Sequence, residues 1–321
     1  MPTIQPVVMF FIMGVVAGLI RSDLKIPDAL YKSISIYLLI AIGLKGGLSL
    51  SKYDIMEVLP ASLALVFTAA LIPLVAYPIL RFVGKFNQAD SGSIAAHYGS
   101  VSAVTFAVGL AFLDGIEEYY EGYMPLFLAL LEVPALATGT ILALMGTSSS
   151  SGEGKTDWGK LLHEVFTGSS IYLLMGGIAI GYYMGMVKMV EPLDKLFFDL
   201  FIGALALFLL EMGLLAASRL SVIRQKGLFM IIFGIAFPLT CGAFGTTMGY
   251  AFNLSPGGTC ILAVLYASCS YIAAPAAMRI AVPKADPAVS IGLSLGVTFP
   301  FNIFIGVPIY WEMTKWMYGL S

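Results

Sequence analysis

The sequence predicts an all-α membrane protein with ten transmembrane helices, arranged as two inverted repeats of five. The first observation is composition, because 59% of the 321 residues are hydrophobic and only 11% are charged. A soluble domain carries about 25% charged residues, and a mean hydropathy of +0.92 would leave a large apolar surface facing water. The other two observations are a series of long apolar segments and a duplication within the chain. We therefore expect the lipid bilayer as its environment, and the formal net charge of −2 argues against a nucleic-acid partner.

Ten apolar segments approach the length of about 20 residues that a spanning helix needs. They lie at roughly 5–21, 30–50, 57–84, 91–113, 123–146, 167–187, 195–217, 227–252, 257–280 and 286–317. The first is interpreted as a span and not as a signal sequence, because no basic residue precedes Arg21. We assign 1–146 to the first five-helix repeat, 147–166 to a Ser/Gly-rich cytoplasmic linker and 167–321 to the second repeat.

Lysine and arginine in the loops predict the orientation. With the N-terminus outside, twelve basic residues fall in inside loops and four fall outside. Both termini are therefore expected to be extracytoplasmic in a bacterial inner membrane. The acidic residues of one loop then face outward, and these are Asp114, Glu117, Glu118 and Glu121.

The second half of the chain repeats motifs of the first at a nearly constant offset. The segment Tyr98–Ser102 matches Tyr266–Ser270 at an offset of 168, and Gly47 matches Gly213 at 166. Because five spans is an odd number, the second copy enters the membrane from the opposite side. Inverted repeats are typical of secondary transporters, although a duplication without a transport role is the alternative.

The fourth and ninth spans are predicted to be broken helices that form a substrate site near the midplane. Gly99 and Pro275 weaken the helices there, and half-helix N-termini with serine hydroxyls suit a small anion. The alternative is that these small residues only permit close helix packing. The candidate substrate-binding residues are Ser100, Val101, Ser102, Ala103, Thr105, Ser268, Cys269, Ser270 and Tyr271.

Polar groups inside the spans are the next signal, because a charge there costs about 2.5–3.5 kcal/mol. Lys45 and Glu211 are 166 residues apart, so we predict an ion pair between equivalent places in the two repeats, whether it serves transport or structure alone. The candidates for the sodium or coupling path are Gly99, Glu132, Ser268 and Asn302. Packing alone is the alternative for Asn302.

The residues leave two other classes of function open. His97 beside the serines suggests an intramembrane hydrolase, but no nearby acid orients it. A non-transporting receptor is the other possibility. The chain has no P-loop, so an ion gradient must supply energy for transport. We expect no organic cofactor, and the three cysteines form no CxxC metal-binding pair.

These motifs resemble the SbtA-like sodium-dependent bicarbonate transporters over nearly the whole chain. The matching segments are Ala41–Gly47, Tyr98–Ser102, Glu132–Leu136, Ala267–Tyr271 and Pro283–Pro287. The resemblance implies a core domain, a gate domain, a homotrimer and coupled uptake of Na⁺ and bicarbonate. It also implies that the anion binds where the broken spans meet, at Ser100, Ser102, Ser268 and Ser270, with Thr105 as an addition.

One position departs from the cyanobacterial pattern. Tyr271 stands where those members have Asp, and Ala274-Pro275-Ala276 replaces Gly-Pro-Pro. A lost carboxylate could change cation coupling or the choice of anion, so another small anion such as a monocarboxylate is the alternative substrate. Cyanobacterial members are also regulated by a PII-like protein, a partner that the short linker here does not favour.

Overall fold

The computed structural model describes residues 6–145, 163, 167–188 and 191–320. Apart from His163, the predicted linker at 147–166 lies outside the described residues. The described chain is helical throughout and contains no strand. Its helices are α1 (Pro6–Leu19), α2 (Asp28–Leu50), α3 (Ile55–Pro78), α4 (Gln88–Gly99), α5 (Ala103–Gly115), α6 (Met124–Leu144), α7 (Ser169–Val187), α8 (Phe201–Lys226), α9 (Leu228–Ala251), α10 (Pro256–Ala267), α11 (Ala273–Ala281), α12 (Pro287–Leu293) and α13 (Val307–Tyr318).

Shorter helical turns extend three of these elements. A π-helical turn at Ile79–Val83 continues α3, and Glu191–Asp194 with the π-helical turn Lys195–Asp199 precedes α8. Two further π-helical turns, Ser294–Thr298 and Asn302–Gly306, join α12 to α13 through Phe299–Phe301. Such turns inside a helix often accompany functional sites, and the last of them begins at the buried Asn302.

Eight helical segments of the described chain are long and apolar enough to cross a bilayer. The predicted first and ninth spans differ, because α1 has 14 residues and α10 has 12. The ninth span is short because the helix stops at Ala267 and resumes only at Ala273. The chain is thus a multi-pass membrane protein, and its arrangement as ten spans in two inverted repeats stays a prediction.

Four helices pack in two intimate pairs, α1 with α8 and α2 with α7. Glycines make this close approach possible: Gly14 faces Gly213 in the first pair, and Gly43 faces Gly177 in the second. Lipid is as apolar as the side chains, so helices in a bilayer associate by close packing at small residues. The matched glycines Gly47 and Gly213 both lie at these interfaces.

The interrupted helix pair α4 and α5 is shielded from lipid. Across Gln88–Gly115, 89% of the residues in the most apolar stretch are buried. Backbone without helical hydrogen bonds is tolerated at membrane depth only where protein or a cavity surrounds it. The helices α3, α6, α10 and α11 contact this pair and form much of its cover.

Loops from the two halves meet on each side of the bundle. The Glu121 carboxylate accepts hydrogen bonds from the backbone N–H of Ser255 at 2.6 Å and from its hydroxyl at 2.9 Å. On the opposite side, Asp90 accepts from the N–H of Asp286 at 2.7 Å. The two sets of contacts hold both ends of the broken helices.

Candidate substrate and sodium site

The two helix breaks meet and bond directly to each other. The backbone N–H of Ser270 donates to the carbonyl of His97 at 2.8 Å. The N–H of Ser102 donates to the hydroxyl of Ser268 at 2.9 Å. The Tyr-x-Ser-x-Ser segments, 168 residues apart in sequence, are therefore neighbours in the fold.

Each break has an extended residue followed by a serine whose hydroxyl accepts a backbone N–H of the next helix. Ser102 is the N-cap of α5, whereas Ser270 lies two residues before Ile272, the N-cap of α11. Ser100 and Ser268 are extended, with ψ of 170° and 172°. The Ser102 hydroxyl accepts from the N–H of Thr105 at 3.1 Å, and the Ser270 hydroxyl accepts from the N–H of Ala274 at 3.0 Å. The N-termini of α5 and α11 thus begin beside each other, and a helix N-terminus carries partial positive charge.

The place where the two breaks meet is called the crossing. A central cavity of about 40 Å³ lies against it. The breaks contribute Val101, Ser102, Ala103, Ser270 and Tyr271 to its wall, and α6 contributes Glu132. The opposite wall comes from α2, α7 and α8, and its members include Ser35, Leu39, Ile42, Ser170, Leu174 and Phe208. No lysine or arginine is among the described residues that line it, so hydroxyls and helix N-termini must neutralise any bound anion.

Tyr271 presents a phenol to the central cavity. The Ser102 hydroxyl donates to the phenol oxygen at 3.0 Å. The phenol oxygen thus accepts a hydrogen bond and keeps its own proton, which it can donate to another acceptor. The ring packs edge-on against Phe299 with centroids 5.2 Å apart, which fixes its direction. A tyrosine here therefore offers a neutral hydrogen-bond donor where a carboxylate would repel an anion.

Glu132 is the one acidic residue among the described residues of the cavity wall. Its side chain is 6% exposed, and the proline two residues later, Pro134, lies within the same helix. A carboxylate and nearby carbonyl oxygens are the ligands that a hard cation prefers. Glu132 thus lies in the cavity wall, and its role in the sodium path stays a prediction.

The remaining predicted site residues lie behind the cavity wall. Ser268 connects the breaks, and Cys269 is buried with its Sγ 3.6 Å from the carbonyl of Ser294. Ser100 and Thr105 are both 1% exposed, and the Ser100 hydroxyl has no hydrogen-bond partner among the described residues. Gly99 packs against Pro73 and Ala135, where a larger residue would not fit. These residues shape the crossing and do not line the cavity.

Asn302 binds the end of α10, the helix that precedes the break in the ninth span. Its amide donates to the carbonyl of Ala267 at 2.8 Å and accepts from the Tyr310 hydroxyl at 2.9 Å. The carbonyl of Ala267 lies at the end of α10, where helical hydrogen bonding stops. Asn302 thus supplies a missing partner to the broken helix; its role in the sodium path stays a prediction.

Lys45 and Glu211 do not form the predicted ion pair. The Lys45 amine contacts the Tyr120 hydroxyl at 3.5 Å, whereas Glu211 interacts electrostatically with Tyr31 and Asp28. Tyr31 and Lys45 are 14 residues apart in α2, a rise of about 21 Å. Glu211 lies beside the start of α2 and Lys45 lies near its other end, and this difference in depth keeps the two charges apart.

The sequence reasoning missed the wall that faces the crossing. Ser35 of α2 and Ser170 of α7 line the cavity, although neither belongs to a repeated motif. Isolated hydroxyls in apolar spans were a possible signal. His97 was noted for its position, and its Nδ1 lies 2.7 Å from the carbonyl of Ser93, at the place where a hydrolase would need a carboxylate.

The described residues hold no cluster of three His, Cys, Asp or Glu side chains arranged for a metal ion. A search of curated proteins finds no significant match to this chain. The family model of the Na⁺-dependent bicarbonate transporter superfamily matches residues 6–315, with the crossing and its cavity inside that range. The chain therefore belongs to the Na⁺-dependent bicarbonate transporter superfamily.

Proposed function

We propose that the protein is a secondary active transporter that carries bicarbonate into the cell together with Na⁺. The observation that supports this most directly is the central cavity at the crossing of the two helix breaks. Two helix N-termini, two serines whose hydroxyls accept helix N–H groups and the Tyr271 phenol converge there without a lysine or arginine among the described wall residues. Such a site attracts an anion while leaving it weakly enough bound to be released.

The size of the cavity favours a very small anion. One water needs roughly 10–15 Å³ of such space, so about 40 Å³ holds three or so water-sized groups. Bicarbonate has four non-hydrogen atoms, and its hydroxyl can donate a hydrogen bond to Glu132 or to a carbonyl. A larger monocarboxylate would require the wall of α2 and α7 to move away.

Glu132 supplies a physical reason for coupling to sodium. An ionised carboxylate in the same cavity as an anion is unfavourable, because like charges repel strongly at low dielectric. A Na⁺ ion bound at Glu132 would remove that repulsion, so each ion would raise the affinity for the other. The family assignment implies sodium dependence, and this arrangement offers a mechanism for it.

In the proposed transport cycle, the helix pairs α1–α8 and α2–α7 move relative to the helices around the crossing. In inverted-repeat transporters, alternating access is largely a rocking of one bundle about a fixed site. The wall of α2, α7 and α8 would form the gate, and the crossing would belong to the core. A homotrimer, extracytoplasmic termini and a location in the bacterial inner membrane belong to the same proposal.

The test is uptake of labelled bicarbonate by reconstituted liposomes with and without an inward Na⁺ gradient. Protein-free liposomes measure passive entry of CO₂, and replacing Na⁺ by K⁺ measures the requirement for the cation. We expect accumulation only with protein and Na⁺, unaffected by excess acetate, which has a methyl group in place of the hydroxyl. Equal uptake in Na⁺ and K⁺ would refute coupling, and full competition by acetate would favour a monocarboxylate carrier.

Paired substitutions locate the site. Replacing Ser102 and Ser270 by Ala together should abolish most uptake, since both hydroxyls line the cavity and accept helix N–H groups. Glycine is tolerated at an N-cap at a cost of a few tenths of a kcal/mol. The double glycine variant therefore removes both hydroxyls with little loss of capping at Ser102, the N-cap of α5. Uptake at the wild-type rate in both double variants would show that the crossing is not the site.

A further inference from the structure

A second cavity lies at the end of α2 that is predicted to face outward. Its volume is about 160 Å³, and its wall includes Lys45 from α2, Asp114 from the end of α5, and Phe197 and Phe201 near the start of α8. Ile42 lines both this outer cavity and the central cavity. The two spaces thus share a wall residue, so the outer cavity lies next to the central one.

Lys45 brings a positive charge to the outer cavity, whose wall also holds the Asp114 carboxylate. Its amine donates to the Tyr120 hydroxyl at 3.5 Å, and Tyr120 donates to Asp114 at 2.9 Å. No ion pair of Lys45 is present among the described residues, because the tyrosine stands between it and the carboxylate. A lysine in an apolar span needs a partner or a function, and the contact of this amine is to a neutral phenol, so no carboxylate of the described residues contacts it directly.

The surroundings of the outer cavity make that charge necessary for an anionic substrate. Asp114 and Glu117 are exposed in the same loop, and Glu118 is half-buried. Their field would repel an approaching anion. Glu121 is bound by Ser255 and is 8% exposed. Lys45 is the one basic residue among the described residues that line the cavity, and charges in low-dielectric clefts concentrate oppositely charged ligands.

We propose that the outer cavity is a capture site for small inorganic anions, in which Lys45 binds bicarbonate before it passes Ile42 to the crossing. This inference rests on the proposed function for its substrate and direction. It assigns Lys45 to binding, and it assigns Tyr120 and Asp114 to positioning the lysine side chain. The apolar wall from Phe197 and Phe201 strengthens the attraction by excluding water from one side.

The first experiment measures bicarbonate uptake at saturating Na⁺ for Lys45→Met and Lys45→Arg. We expect Lys45→Met to raise KM roughly tenfold, with a maximal rate within about twofold of wild type, because charge-steered capture acts on substrate entry. Lys45→Arg should keep KM near the wild-type value. The matched control is Lys52→Met, which removes an exposed lysine just beyond the same helix and should leave KM unchanged.

A second variant separates capture from a purely structural role. Tyr120→Phe removes the hydrogen bond to Lys45 and leaves its charge, so KM should change by less than threefold. If Tyr120→Phe reproduced the full defect of Lys45→Met, the role of Lys45 would be a structural contact between α2 and the loop, and the proposal would be wrong. An unchanged KM in Lys45→Met would also overturn it.

A third measurement uses wild-type protein and needs no transport. An amine-reactive acylating reagent is applied with bicarbonate or gluconate at equal ionic strength and pH, and the modified lysines are quantified by mass spectrometry. We expect bicarbonate to slow acylation of Lys45 several-fold and to leave Lys52 unaffected. Protection without Na⁺-dependent uptake would support the capture site while refuting the proposed function. Uptake with no protection of Lys45 would refute the capture site alone.

Discussion

The phenol of Tyr271 provides the sharpest test of the central site, and the variant is Tyr271→Phe. The substitution removes one oxygen and keeps the ring, whose edge-on contact with Phe299 at 5.2 Å should persist. In the folded protein the phenol accepts from Ser102 at 3.0 Å, so its own proton is available to a bound anion. The change therefore deletes one donor from the cavity with little change of shape.

The expected magnitude follows from the two hydrogen bonds involved. A hydrogen bond to a charged group contributes about 1.5–3 kcal/mol, which corresponds to roughly 10- to 150-fold in affinity. The neutral bond from Ser102 is also lost and costs about 1 kcal/mol of folding stability. We therefore expect a KM for bicarbonate at least roughly tenfold higher and only a small fall in the unfolding temperature.

The assay is the initial rate of uptake as a function of bicarbonate at saturating Na⁺, with thermal unfolding measured in the same preparation. Tyr318→Phe is the matched control, because that phenol bonds to Thr259 in the first turn of α10, away from the cavity. It should lose similar stability and keep its KM. A KM within twofold of wild type for Tyr271→Phe would show that the phenol does not contact the anion.

Three further predictions concern coupling, helix packing and the broken helix. Glu132→Gln keeps the shape and removes the charge, so the Na⁺ concentration for half-maximal uptake should rise at least roughly tenfold; an unchanged Na⁺ response would exclude Glu132 as a ligand. Gly181→Ala places a methyl group against a backbone carbonyl of α2 and should cost about 1–3 kcal/mol of stability, whereas Gly176→Ala has open space and should be neutral or stabilising in thermal unfolding. Asn302→Ala leaves the carbonyl of Ala267 without its partner and should lower stability by about 1–3 kcal/mol; equal unfolding temperatures would show that water replaces the amide.

Much of the fold could be predicted because it depends on local properties. Each helix of the described chain falls within or beside a predicted apolar segment, since hydropathy over about 20 residues measures the cost of placing that segment in lipid. The breaks at 100–102 and 268–272 were also predictable. Glycine, proline and serine act on the backbone of their own turn, so the two Ser-x-Ser motifs signalled them.

Which of the four serines line the cavity was not predictable in the same way. Ser102 and Ser270 line the cavity, whereas Ser100 and Ser268 lie behind it. The Ser268 hydroxyl is directed by the N–H of Ser102, which comes from the other half of the chain. A side chain's direction at a helix break depends on partners 166 residues away, and the local sequence contains no information about them.

By itself the sequence determined that this protein is a membrane protein. It also determined which stretches of the chain form helices and which two spans are interrupted by hydroxyl-rich segments. Each of these follows from the solvation of short stretches of chain. Only the tertiary structure decided that the breaks bond to each other, that Glu132 and Tyr271 share one cavity, and that Lys45 is far from Glu211. Those facts depend on how helices pack around glycines and on the depth at which each side chain lies, and repeated motifs do not specify depth.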